Sequence, residues 1–165
     1  MEISELAERY SAGTSERCKA IFSTLFIAAN RLQTLFDHRI PRLTLRQFML
    51  LSIARQPAEP LTLTELGKLL GCSRQNVKKL ALSLEQKGFA QLCRSQYDAR
   101  ALTLVPTETA EEYFRTEFPQ YAGELGTLFS VYSEDEVRTL FELMMRMYAG
   151  LDKLETLTLK GEEEK

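Results

Sequence analysis

Five donor-bearing side chains, Arg74, Gln75, Asn76, Lys78 and Lys79, fall within six consecutive positions directly after Ser73. A guanidinium can bridge O6 and N7 of guanine, and an amide can bridge N6 and N7 of adenine; an ammonium neutralises phosphate without reading sequence. Arg74, Gln75 and Asn76 are therefore candidate base readers, and Lys78 and Lys79 candidate phosphate contacts. Ser73 is of the type that caps a helix N-terminus, where its hydroxyl and the first free N–H groups can also meet a phosphate. A second set, Arg94, Asp98 and Arg100, follows. In the Asp-x-Arg step a carboxylate can orient a guanidinium through a charge-assisted hydrogen bond, and the guanidinium can enter a minor groove.

These residues need rigid elements beneath them. Thr62 and Glu65 have capping-box spacing and open a short helix with Leu66, Leu69 and Leu70 as its apolar face. Gly71-Cys72-Ser73 ends that helix and starts another, in which Val77, Leu80, Ala81 and Leu84 recur at i, i+3, i+4 and i+7. At about 100° per residue, Gln75, Lys78, Lys79, Ser83 and Gln86 lie opposite that stripe, flanked by Arg74 and Asn76. The outer face is basic and amide-rich and carries no carboxylate. Gly88 closes the helix, and extended runs at 90–94 and 101–105, joined by 95–100, predict a hairpin. Two helices joined by a tight turn, followed by a hairpin, form a layout that sets side chains into the major groove of double-stranded DNA.

The chain resembles the MarR family of winged-helix transcriptional regulators. The family's "L-T-x-x-E-L-A-x-x-L-G-x-S-R-x-x-V" is similar to the run Leu61-Thr62-Leu63-Thr64-Glu65-Leu66-Gly67-Lys68-Leu69-Leu70-Gly71-Cys72-Ser73-Arg74-Gln75-Asn76-Val77, and "L-x-x-K-G" to Leu84-Glu85-Gln86-Lys87-Gly88. Asp98-Ala99-Arg100 is similar to the wing signature, and Leu43-Thr44-Leu45-Arg46-Gln47-Phe48 to the "L-T-x-x-Q-F/W" that opens an earlier helix. Pro106-Thr107-Glu108-Thr109-Ala110 departs from "L-T-x-x-G" at both ends, and Leu92 and Cys93 stand where many members carry arginine, so the wing is less basic than usual. The resemblance implies an all-α-dominated fold with a two-stranded β wing. It implies a winged helix-turn-helix flanked by N- and C-terminal dimerisation helices. It further implies a homodimeric DNA-binding regulator, a repressor, released by a small aromatic or phenolic effector held between the dimerisation helices and the DNA-binding lobe. Phe22, Phe26, Phe48, Met49, Tyr113 and Phe114 are the candidate lining, with ordinary core packing as the alternative. Some relatives sense peroxide through a cysteine near the start of the first helix; Cys18, between Arg17 and Lys19, holds that place, with an inert packed thiol as the alternative.

The 165 residues are 44% hydrophobic, enough for one domain with a core. The formal net charge of −2 hides a partition: 0 over 1–40, +2 over 41–72, +4 over 73–105 and −8 over 106–165. Positive charge thus gathers where phosphates would be met. Three cysteines point to a reducing cytoplasm rather than a disulfide framework. The N-terminus lacks a basic leader, and the longest charge-free apolar run, 20–30, is too short for a membrane span. His38 is the only histidine and has neither a nucleophile nor a metal-ligand set beside it, so neither an enzyme nor a metal or cofactor is expected. A winged helix used for protein contact is the remaining alternative.

The rest of the chain reads as helices. Residues 1–14 form a polar arm or short helix. A long helix follows over 15–38, with Ile21, Phe22, Leu25, Phe26, Ala29, Leu32, Leu35 and Phe36 on a broad apolar face. Thr44 and Gln47 open the next, with Leu45, Phe48, Met49, Ser52 and Ile53 on its apolar face. Thr107 caps a helix to Phe118, Pro119 kinks or divides it, Ser133 and Glu136 cap the last helix, and the tail from Lys160 frays. The whole is read as a single domain with a DNA-binding lobe at 43–106 and dimerisation helices at 15–40 and 107–158. The terminal helices carry more apolar stripe than one winged-helix lobe covers, which predicts a two-fold homodimer.

Overall fold

The structure, a computed structural model, describes residues 13–163. Segment 1–12, most of the arm expected from sequence, lies outside the described residues, as do the last two residues of the tail. Among the described residues seven helices and one hairpin follow in order: α1 (Thr14–Arg39), α2 (Leu45–Ala54), α3 (Leu63–Leu70), α4 (Arg74–Gln86), β1 (Ala90–Arg94), β2 (Leu102–Pro106), α5 (Glu108–Thr116), α6 (Pro119–Phe129) and α7 (Glu134–Glu163). This is the helix-dominated fold with a two-stranded wing that the sequence predicts. Two compact units divide after Arg115.

Local chemistry sets the boundaries. Thr44 with Gln47 and Thr62 with Glu65 form complete capping boxes on α2 and α3. Before α7, the backbone N–H and hydroxyl of Ser133 donate to the Glu136 carboxylate, and the serine Oγ accepts the Glu136 N–H. Each box satisfies N–H groups that a helix start leaves without partners. Pro119 divides its helix rather than kinking it: α5 ends at Thr116 and the proline stands in the first turn of α6, where its missing N–H costs nothing.

Two glycines frame the central helix. At Gly71 (φ 63°) the Cys72 N–H donates to the Gly67 carbonyl at 2.9 Å and the Gly71 N–H to that of Lys68 at 3.3 Å. At Gly88 (φ 77°) the Phe89 N–H donates to Leu84 and the Gly88 N–H to Glu85, both at 2.9 Å. Both are Schellman terminations, which need a left-handed residue that only glycine adopts without steric cost. At the second, the apolar pair that accompanies the motif is Phe89 and Leu84, both buried.

The core of the first unit joins Leu50, Leu51 and Ala54 of α2, Leu63 and Leu66 of α3, Val77, Ala81 and Leu84 of α4, Phe89, Leu104, and Ala110 and Tyr113 of α5. Three sequence expectations change. In α3 the buried residues are Leu63, Leu66 and Gly67, whereas Leu69 is 59% exposed and Leu70 half-buried. The stripe begins at Leu63, and Leu69 lies about 100° off its centre. In α2 the deep face is Gln47, Leu50, Leu51 and Ala54, while Leu45, Phe48, Ser52 and Ile53 are half-buried and Met49 is exposed. That helix is apolar on two sides, and helical spacing fits either set. Leu80 of α4 is half-buried rather than fully enclosed.

β1 and β2 pair antiparallel with Leu92 opposite Leu104, and strand bounds fall within one residue of those read from sequence. An isolated bridge from Thr62 to Thr103 joins the wing to the start of α3. The Thr107 hydroxyl donates to the Gly88 carbonyl at 2.6 Å and its N–H to the Phe89 carbonyl at 3.0 Å, which fixes the entry to α5. On α1 no residue is buried; Ile21, Phe22, Phe26, Ile27 and Leu35 are each more than half exposed.

Replacing Gly71 by alanine places a Cβ in left-handed backbone although open space surrounds it. We expect Gly71→Ala to lose about 1 kcal/mol of stability in urea unfolding, by conformation alone.

Candidate nucleic-acid interface

The candidate reading surface is the outer side of α4. Ser73 caps it, its Oγ accepting the Asn76 N–H at 3.3 Å. Arg74, Gln75, Asn76, Lys78 and Lys79 are all exposed, while Val77, Ala81 and Leu84 beneath them are wholly buried. None of the five has a side-chain hydrogen bond or ion pair among the described residues, so their donors remain available to a ligand.

Several contacts hold the helix in place, and sequence reading assigned none of them. Gln47, only 6% exposed, donates through Nε2 to Ser83 Oγ at 2.8 Å and accepts at Oε1 from Lys87 Nζ at 2.9 Å. The Lys87 ammonium also donates to the Arg42 carbonyl. Glu85 Oε1 accepts the Leu92 N–H at 2.8 Å, which couples α4 to β1. Gln47 was visible in the sequence as a capping-box residue, but its second duty links positions 36 residues apart, beyond the reach of local spacing.

At the wing tip, Ser95 Oγ accepts the N–H groups of Tyr97 at 3.2 Å and Asp98 at 3.4 Å, and the Ala101 N–H donates to the Asp98 carbonyl at 2.9 Å. Asp98 Oδ1 accepts the backbone N–H of Arg100 at 2.9 Å, so the carboxylate shapes the turn and does not hold the guanidinium. The Arg100 side chain has no carboxylate within ion-pairing distance among the described residues. Arg94 Nη1 donates to the Ala99 carbonyl at 2.9 Å and braces the tip from within. Gln96 Nε2 donates to Glu59 Oε2 at 3.0 Å, tying the tip to the segment before α3. Tyr97 at the tip is 82% exposed.

The candidate effector residues separate into two groups. Phe22 and Phe26 pair edge-on, with ring centroids 5.0 Å apart, and both are more than half exposed. Phe48 and Phe114 belong instead to a chain of rings: Phe36 to Phe48 at 5.1 Å, Phe48 to Phe114 at 5.4 Å, Phe114 to Tyr113 at 5.7 Å, and Tyr113 to Phe89 at 5.5 Å. Tyr113 is a fully buried core residue and Met49 stands exposed at 42%. The Arg55 guanidinium lies 4.1 Å from the Phe114 ring centroid and forms a two-point ion pair with Glu111. Neither of two surface cavities, about 420 Å³ at the α1–α2 corner and about 330 Å³ along the start of α7, is lined by any of the six candidates. Cys18 is exposed rather than packed, and the ammonium of its neighbour Lys19 is engaged by Glu16 at 2.7 Å. Among the described residues no cluster of histidine, cysteine and carboxylate side chains could hold a metal ion, and no helix is long and apolar enough to cross a membrane.

A helix-turn-helix with a bare basic outer face, backed by a two-stranded wing, defines the winged helix-turn-helix class. Residues 43–101 match the MarR family. The transcriptional repressor MprA of Escherichia coli (strain K12) is 30% identical over 139 residues, spanning 84% of this chain and 67% of that protein. A MarR/EmrR family transcriptional regulator from Acinetobacter sp. ADP1 superposes with a TM-score of 0.70 at 16% identity, covering 82% of this chain and 96% of its own. The MepR–DNA complex of S. aureus superposes at 0.68 with 20% identity, covering 79% and 97%. The chain belongs to the MarR family, whose members are regulators of transcription and not enzymes.

The Arg55–Glu111 pair gives the lobe a pH signature. The guanidinium beside it holds the Glu111 carboxyl below its ordinary range, chiefly through the hydrogen bond, and raises Arg55 in return. A folded-state pKa lowered in this way contributes stability above the unfolded value, and the contribution is lost as pH falls through the folded one. Glu111 is partly exposed, so the gain is small. We expect Glu111→Gln to lower the urea midpoint modestly at pH 7, and the two proteins to converge as the buffer is taken below about pH 4.

Proposed function

We propose that this protein is a homodimeric, sequence-specific DNA-binding repressor that meets a pseudo-palindromic operator. The observation that carries the reading is the outer face of α4, where Arg74, Gln75, Asn76, Lys78 and Lys79 are exposed and carboxylate-free over a rigid core. Arg74, Gln75 and Asn76 read base edges in the major groove. Lys78, Lys79 and the capped N-terminus at Ser73 meet phosphates. Arg100 enters the adjacent minor groove, with Asp98 setting the turn and Arg94 bracing it. The MepR–DNA complex supports DNA as the ligand, and the repressor role follows the relative MprA.

Residues 43–106 act as the DNA-binding lobe and the segments at 15–40 and 107–158 as dimerisation helices. In support, α1 exposes Phe22, Phe26 and Ile27, and α7 exposes Phe141, Tyr148 and Leu154. Apolar surface of this extent marks an interface. A two-fold dimer would set its reader helices about 34 Å apart, one turn of the duplex. A small aromatic or phenolic effector acting on the half-buried aromatic side of α2, near Phe48 and Phe114, would release the dimer from DNA in the cytoplasm.

Fluorescence anisotropy against a duplex from upstream of the protein's own gene and a scrambled duplex, across a salt series, tests the reading. Arg74→Ala should cost about 1–3 kcal/mol on the native duplex, and Arg100→Ala should also weaken it. Lys78→Ala should weaken both duplexes alike and lower the salt slope by about one. No binding to any duplex at low salt refutes the proposal. Sedimentation tests the assembly: wild type should sediment as a dimer, and Phe26→Asp should shift it towards monomer.

A further inference from the structure

Apart from Gln47, the buried side chains of α2 and α4 are apolar, and apolar contact is non-directional: it holds two helices together without fixing how one is rotated or shifted along the other. One polar side chain interrupts it. Gln47 is buried at 6% exposure, and its amide makes three directed hydrogen bonds. Oε1 accepts the Thr44 N–H at 3.1 Å and the Lys87 ammonium at 2.9 Å, and Nε2 donates to Ser83 Oγ at 2.8 Å. The Gln47 N–H is in turn received by Thr44 Oγ1 at 3.3 Å. A capping box alone would not require this burial, since the box of α3 uses an exposed glutamate for the same local task. The amide is drawn inward to the second helix.

Its two partners on the reader element, Ser83 and Lys87, stand four residues apart and so one above the other on a single face. A helix held at two points one turn apart on one face can neither rotate about its axis nor slide along it without breaking a bond. Lys87 is held a second time through the Arg42 carbonyl, and Asp37 Oδ1 accepts the Leu45 N–H at 2.6 Å, which fixes the start of α2 to the last turn of α1. The holding points are at the C-terminal end of α4, and the reading residues are at the other end. Nine residues at about 1.5 Å each put Arg74 roughly 14 Å from Ser83 along the axis, so a tilt of about 4° moves it by about 1 Å. That is enough to break a bidentate contact to a base edge.

We infer that Gln47 is a positioning residue for base reading, whose buried amide fixes the rotation and axial setting of α4 so that Arg74, Gln75 and Asn76 meet base edges in register. The inference rests on the DNA-reading proposal above. It makes operator discrimination, more than folding, the property that Gln47 controls.

The test takes the full-length protein and the duplex that wild type enriches from a random-sequence pool. Affinity for that duplex and for a scrambled one is measured for wild type, Gln47→Leu, Gln47→Glu and Ser83→Ala, with thermal unfolding of each. Gln47→Leu keeps the bulk and removes the directed bonds; the ratio of the two affinities should fall about tenfold while affinity for the scrambled duplex stays within twofold. Gln47→Glu can accept from Thr44, Lys87 and the Ser83 hydroxyl together, so it should restore the ratio to within threefold of wild type. Ser83→Ala removes one half-buried hydroxyl, so the measurement stands even if the leucine variant fails to fold, and it should lower the ratio about threefold. A ratio unchanged within twofold in Gln47→Leu and Ser83→Ala, with only the melting temperature lowered, overturns the inference and leaves Gln47 an ordinary core residue. A wild type that enriches no sequence overturns the base-reading proposal and this inference with it.

Discussion

Everything that this protein presents outward depends on the seam where Val77, Ala81 and Leu84 of α4 are sealed from water against α2 and the base of the wing. A surface meant for a polyanion gains nothing from the ion pairs that usually stabilise an exposed helix, because each carboxylate there would repel the ligand. The helix must therefore draw its stability from its inner stripe, its cap at Ser73 and the glycine termination at Gly88. Each of the three is present. The outer face is left free to be basic.

That arrangement explains what could be read from sequence and what could not. The seam, the caps and the terminating glycines are local, and they were legible from spacing and residue type. Residues that stabilise the site from a distance were not. Gln47 looks like the partner of Thr44, and nothing within a few residues announces Ser83 or Lys87. Asp98 and Arg100 were seen as a pair, yet the bond runs to the backbone N–H, since at two residues' separation in a tight turn the main chain is the nearer donor. In α2 two apolar faces satisfy one period, and only the neighbours decide which is deeper. Leu69 has the spacing of a stripe that starts at Leu66, but the buried stripe of α3 starts one turn earlier, at Leu63.

The second apolar face of α2 gives the chain of rings its place. From Phe36 on α1 through Phe48 and Phe114 to Tyr113 and Phe89, edge-on and tilted contacts cross the lobe, and Phe89 sits at the junction where α4 ends and the wing begins. Arg55 and Arg42 cap this series with guanidinium groups 4.1 and 4.7 Å from the centroids of Phe114 and Phe89. Aromatic pairs of this kind favour particular angles beyond simple burial. The end of α1 and the root of α4 are thus joined by packing with preferred geometry.

The two left-handed glycines that bracket α4 bear on how such a protein can change over time. An extra residue in a helix turns all that follows by about 100° and advances it by about 1.5 Å. A frayed end could absorb such a change. Ends pinned at Gly71 and Gly88 pass it instead into the wing and the Gln47 contacts. Length is therefore frozen while the outward side chains of 74–79, which are exposed and make no side-chain hydrogen bond or ion pair among the described residues, remain free to vary. Substitution at the exposed positions 74–76 therefore carries little penalty in foldability.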